Sequence, residues 1–183
     1  MNIHIKISLV SFLSLLSLLS AYLVQFYIIV PIESTISSHD MLPSSLFLPY
    51  GIMVLLAIYF SWASVMAIFA AHITAFYLTD NLFIFSENWT AALVSSVCVP
   101  FINTLLVKIG ILGSAFYKGR INAAFFLLVG SLAALSIHLL VFYPLKKPDL
   151  GVVFGQYLQS FVGYLLGLFV IISLVIGYKR IKG

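Results

Sequence analysis

One stretch decides the fold: LFLPYGIMVLLAIYFSWASVMAIFAAHITAFYL, residues Leu46 to Leu78. At 1.5 Å per residue a single helix of this length measures about 50 Å, more than ordinary tilt absorbs in a hydrocarbon core of about 30 Å. The polar interruption Ser61-Trp62-Ala63-Ser64 lies midway. Tryptophan favours the headgroup level, so the stretch reads as two shorter helices, 46-60 and 63-79, joined by a tight turn.

Four other apolar runs flank this stretch, at 7-30, 91-110, 121-143 and 152-178, each long enough to span and bounded by charged or turn-forming residues. The first competes with a signal peptide, for which Lys6 would supply the charged start. The run continues past Ala21 through Tyr22, Leu23, Val24 and Phe26 without a small-residue cleavage site, so it reads as a retained helix. The sequence therefore predicts an all-α transmembrane bundle of about six helices. It forms a single domain over 1-183, because the longest extramembrane segment, 31-45, is too short to fold alone.

Composition agrees with this reading. Of 183 residues, 63% are hydrophobic and only 8% charged, against about a quarter charged in a soluble domain, so a soluble enzyme is excluded. The nine Lys and Arg residues form no stripe on a polar surface, which removes nucleic acid as a partner. Their placement concerns topology instead. With both termini cytoplasmic and six crossings, Lys6, Lys108, Lys118, Arg120, Lys179, Arg180 and Lys182 lie inside and only Lys146 and Lys147 outside. All five acids, Glu33, Asp40, Asp80, Glu87 and Asp149, then face out. Were Leu46 to Leu78 one crossing, Lys118 and Arg120 would change sides and the asymmetry would collapse.

Polar residues inside spans are costly and normally face a bundle interior. Projected through six crossings, Gln25, His72, Thr74, Ser95, Ser96, His138, Gln156 and Gln159 fall at one depth in the outer half, as the lining of an outward-opening polar cavity would. The plainer alternative is that each hydroxyl, amide or imidazole meets a local carbonyl and nothing binds. Hydroxyls bonding back to their own helix likewise account for the row Ser8, Ser11, Ser14, Ser17 and Ser20. The last helix carries Gly151, Gly155, Gln159, Gly163 and Gly167 at intervals of four, a face that admits close backbone approach. Gly130 and Ala134, followed at the same spacing by His138, offer a complement within the chain; a homodimer or a foreign membrane protein is the other candidate partner.

Several chemistries have no residues to run on. No Asp, Glu, Lys or Arg lies deep in a span, which argues against carboxylate-based ion coupling. No cofactor-binding motif occurs, and His72 and His138 sit on different helices without a nearby carboxylate in sequence, so no metal site is expected. Nucleophile elbows, zinc-protease motifs, phosphate-binding loops and paired intramembrane acids are missing, and His39-Asp40 lacks a neighbouring nucleophile, so no catalytic residues are expected. Cys98 has no second cysteine to pair with, and the sequon Asn88-Trp89-Thr90 abuts a helix start, where we read it as chance.

The segment Phe47-Leu48-Pro49-Tyr50-Gly51-Ile52, followed by an apolar run and the break at Ser61-Trp62, resembles the Pro-x-Gly helix start and helical hairpin of MASE1-type bacterial integral membrane sensor domains. Proline opens a helix without wasting a donor, and the glycine permits close backbone approach. Asn103 and the run Asn122 to Val141 also look like later helices of that group. The resemblance covers about 100 residues and implies sensing of an extracytoplasmic or membrane-borne signal. Two departures stand out: Met53 occupies a place where basic residues often follow, and the chain ends shortly after Tyr178, so an output domain would have to be a separate partner.

The sequence thus points first to a non-enzymatic, multi-pass inner-membrane protein acting as a stand-alone sensory or ligand-binding module. A substrate-binding subunit of a small-solute uptake system and an accessory protein packing against another membrane protein are the alternatives.

Overall fold

The computed structural model describes residues 3-36, 46-78, 86-111, 116-117, 120-142 and 150-182. Side chains of 3-8, 10, 36, 86-88, 116-117, 120-121, 142, 150-157 and 179-182 are outside that description, as are His39, Asp40, Asp80, Lys118, Lys146, Lys147 and Asp149 altogether. Among the described residues the regular structure is helical but for a two-residue antiparallel pairing of Phe116–Tyr117 with Arg120–Ile121.

Helix α1 (Ile3–Val24) widens into a π-helical turn (Gln25–Ile29) and continues as α2 (Val30–Ile36). This path outlasts the expected end at residue 30. The Val30 N–H reaches back five residues to the Gln25 carbonyl. So widened a turn eases the clash between the ring of Pro31 and the preceding carbonyls, and the helix survives a proline that ordinarily ends one. Next come α3 (Leu48–Phe60), a 3-10 turn (Ser61–Ser64), α4 (Val65–Leu78), α5 (Ser86–Ile109), α6 (Ala123–Ile137) with a second π-helical turn (His138–Phe142), and α7 (Leu150–Lys182). Asn122 opens α6, its Oδ1 accepting from the N–H groups of Ala124 and Phe125 at 3.1 and 3.2 Å.

Among the described residues, five helical segments are long and apolar enough to cross a membrane: Ser11–Thr35, Leu48–Leu78, Trp89–Ile109, Ala123–Val141 and Leu158–Tyr178. The second is folded back on itself. Tyr22 touches Phe47 at one end of this segment and His72 well along it, with ring centroids 6.0 and 5.6 Å away. An unbroken helix would hold Phe47 and His72 about 37 Å apart. The reversal occurs at Ser61, whose φ of 48° is unusual for a residue bearing a side chain. Trp62 donates its indole N–H to Thr104 on α5 at 3.1 Å, and Asn103 donates its amide to the Ala57 carbonyl at 3.3 Å.

Helix α3 is the centre of the bundle. It packs against α1, α5, α6 and α7, and Pro49, Tyr50, Gly51, Met53, Val54, Leu56, Ala57 and Ile58 are all buried. Its tightest neighbour is α7. A Cβ on Gly51 would strike the Gly167 carbonyl and the Ile171 side chain, and one on Gly167 would overlap the Phe47 carbonyl. The small face of the last helix therefore meets α3 rather than the expected Gly130–Ala134 face. Gly130 is itself covered by the Leu168 side chain, and Ala134 is fully buried. Gly151 and Gly155 lie on α7, but their surroundings are outside the described residues.

Candidate functional site

The amino-terminal end of α3 brings α1, α2 and α7 together. A helix start leaves backbone N–H groups without partners, and in a membrane each must be met by protein. Here three consecutive donors go to three segments. Leu46 N–H donates to Glu33 Oε1 at 3.0 Å, Phe47 N–H to the Gly163 carbonyl at 3.0 Å, and Leu48 N–H to Gln25 Oε1 at 3.1 Å. Pro49 has no N–H to satisfy. Gln25, fully buried at the head of the π-helical turn, is thus a fastening for α3.

From this junction a chain of rings crosses the bundle. Phe47 stacks on Tyr164 at 5.3 Å, and Tyr164 stacks on Tyr50 at 4.4 Å and meets His138 edge-on at 5.0 Å. In the other direction Phe47 meets Tyr22, which meets His72. The two intramembrane histidines are thereby joined through Tyr22, Phe47 and Tyr164. Tyr50 anchors the middle, its hydroxyl donating to the Gly130 carbonyl at 2.6 Å.

Both histidines are held in one tautomer. His72 Nδ1 lies 2.8 Å from the Ile68 carbonyl and His138 Nδ1 lies 2.7 Å from the Ala134 carbonyl. A carbonyl only accepts, so Nδ1 carries the hydrogen and Nε2 of the neutral ring is an acceptor. His138 Nε2 accepts from the Ser160 hydroxyl at 3.1 Å. His72 faces a narrow void of about 200 Å³, mouth included, which Tyr22, Phe47, Tyr50, Ser95 and Tyr164 also line, together with Pro49 and Met53. The free space within it admits about one water molecule.

The expected polar ring therefore divides. His72 and Ser95 share the void, and His138 stands behind Tyr164. Ser96 returns its hydroxyl to the Leu93 carbonyl at 2.8 Å, and Gln159 is half-buried on α7. The side chain of Gln156 is outside the described residues. Ser17 and Ser20 bond back to Leu13 and Leu16, whereas the buried Ser14 hydroxyl has no hydrogen-bond partner among the described residues. Sequence reasoning missed Tyr22, Tyr50 and Tyr164. Their one available signal was that a buried tyrosine needs a place for its hydroxyl.

Among the described residues no group of three or more His, Cys, Asp and Glu is placed to hold a metal ion. No family model, curated protein or solved structure matches the chain.

Proposed function

We propose that the chain is a non-enzymatic, multi-pass protein of the inner (plasma) membrane that acts as a stand-alone sensory or ligand-binding module. The observation that carries this reading is the cluster joining α1, α3, α4, α6 and α7 through His72, Tyr22, Phe47, Tyr164 and His138. A ligand that shifts one ring of such a chain displaces helices on both sides, which is what a signal receiver requires. The resemblance of Phe47 to Ile52 to the MASE1-type helix start supports the sensory side of the proposal.

Six crossings with both termini cytoplasmic remain our topology. Arms of 13 and 14 residues give the α3–α4 hairpin a depth of about 20 Å, less than a full hydrocarbon core. It nevertheless returns the chain to the side from which it entered. With the turn at the cytoplasmic surface, where local thinning of the bilayer meets a short hairpin, the seven basic residues assigned inside stay there.

An accessory role through the last helix draws less support, since Gly163 and Gly167 are already engaged by Phe47 and Gly51 of the same chain. The functional test is a thermal-unfolding screen of the purified protein in nanodiscs against a panel of small solutes. A solute that raises the melting temperature of the native protein should lose its effect on His138→Ala. An effect that persists in the variant would remove this cluster as the binding site.

A further inference from the structure

The two histidines differ in one respect that their common tautomer makes chemically sharp. His138 Nε2 is satisfied by Ser160. His72, only 8% exposed, spends its Nδ1–H on Ile68, and its Nε2 lone pair has no hydrogen-bond partner among the described residues. The Oγ of Ser95, which lines the same void, has none there either. Tyr22 and Tyr164 add two phenols to the lining, whereas Tyr50 has already committed its hydroxyl to Gly130. An acceptor that opens only onto a narrow void is costly to leave unmatched, and polar side chains lining one small space are how a fold prepares to share a bound molecule.

We propose that this void binds one small, uncharged molecule that both donates and accepts hydrogen bonds: water, or a solute of its size such as ammonia. It donates to His72 Nε2 and completes its bonding with the hydroxyls of Ser95 and the tyrosines. Three alternatives fail on the same lining. Among the described residues that line it, no charged side chain is present to compensate an ion taken out of water. An apolar molecule would leave the imidazole lone pair unmatched, and a larger solute does not fit the space. This inference rests on the ligand-binding reading above and gives it a chemical class and a named acceptor.

The test uses the full-length protein, labelled with 15N-histidine and reconstituted in lipid vesicles, in water-edited solid-state NMR. The His72 and His138 signals are assigned by their loss in His72→Asn and His138→Asn. His72 Nε2 should show a hydrogen-bonded shift and receive magnetisation from water, and Ser95→Val, which fills and dries the void, should abolish that transfer while leaving His138 unchanged. Should His72→Asn fail to fold, the Ser95→Val difference alone identifies the signal. Ammonium chloride added at constant pH and ionic strength separates the two sources: a further shift of His72 assigns ammonia, and no shift assigns water. A His72 Nε2 without hydrogen-bonded shift or transfer, with and without ammonium, would overturn the inference. The wider ligand-binding reading would survive that result, since its own test runs through His138.

Discussion

The amino-terminal end of α3 is fastened by three backbone N–H groups, each received by a different segment, and by a backbone approach to α7 too close for a methyl group. Its carboxy-terminal end runs into Ser61–Ser64, where side-chain hydrogen bonds from Trp62 to Thr104 and from Asn103 to Ala57 fasten it to α5. Trp62 is 49% exposed, whereas Pro49, Tyr50 and Gly51 are buried. The difference teaches that the hairpin is specified from one end: its open end is locked into the bundle, and its turn only has to reverse the chain.

The largest expected effect tests the locked end. Gly167→Ala places a Cβ where the Phe47 carbonyl already stands, so α3 or α7 must shift, at a cost of about 2–3 kcal/mol in an unfolding titration. Gly177→Ala is the matched control on the same helix. A Cβ there meets nothing within 4 Å, and the change should be neutral or stabilising by up to about 1 kcal/mol. Equal losses from both would show that helix flexibility, not the α3–α7 contact, sets the outcome.

A smaller effect of opposite sign is expected at the turn. Ser61 holds a φ that glycine adopts freely, so Ser61→Gly should stabilise the protein by about 1 kcal/mol in the same titration. Destabilisation would mean that the Ser61 side chain contributes more than its backbone costs. The smallest perturbation is a label. Ala63 is exposed in the turn and the native Cys98 is buried, so Ala63→Cys should leave stability unchanged and react with an impermeant maleimide from the cytoplasmic side alone. Reaction from the outer face would break the topology proposed for the hairpin.

Much of the locked end was legible in the sequence. Pro49 and Gly51 marked a helix start and a close approach, and the surplus length of residues 46-78 with Ser61-Trp62 at its middle required a reversal. Gly163 and Gly167 declared a packing face but not its partner, because small residues at intervals of four say only that something approaches. The π-helical turns were invisible, since Gln25–Ile29 and His138–Phe142 share no residue pattern that distinguishes them from ordinary helix. The tyrosines of the site were hidden by abundance. With 16 Phe and 10 Tyr in the chain, no spacing separates Tyr22, Tyr50 and Tyr164 from rings that face lipid. His72 and His138 could be named because histidine is scarce in such a sequence, yet only their second nitrogens tell them apart.

The bond from Phe47 N–H to the Gly163 carbonyl also fixes an order in time. A central helix whose first turn is completed by the last one waits, during synthesis, for most of the chain to follow it. Until α7 arrives, the start of α3 lacks both an acceptor for Phe47 and the backbone surface against which Gly51 sits. Chains interrupted before residue 163 should therefore insert their helices yet keep an unsettled centre, and these are the species on which membrane quality control would act.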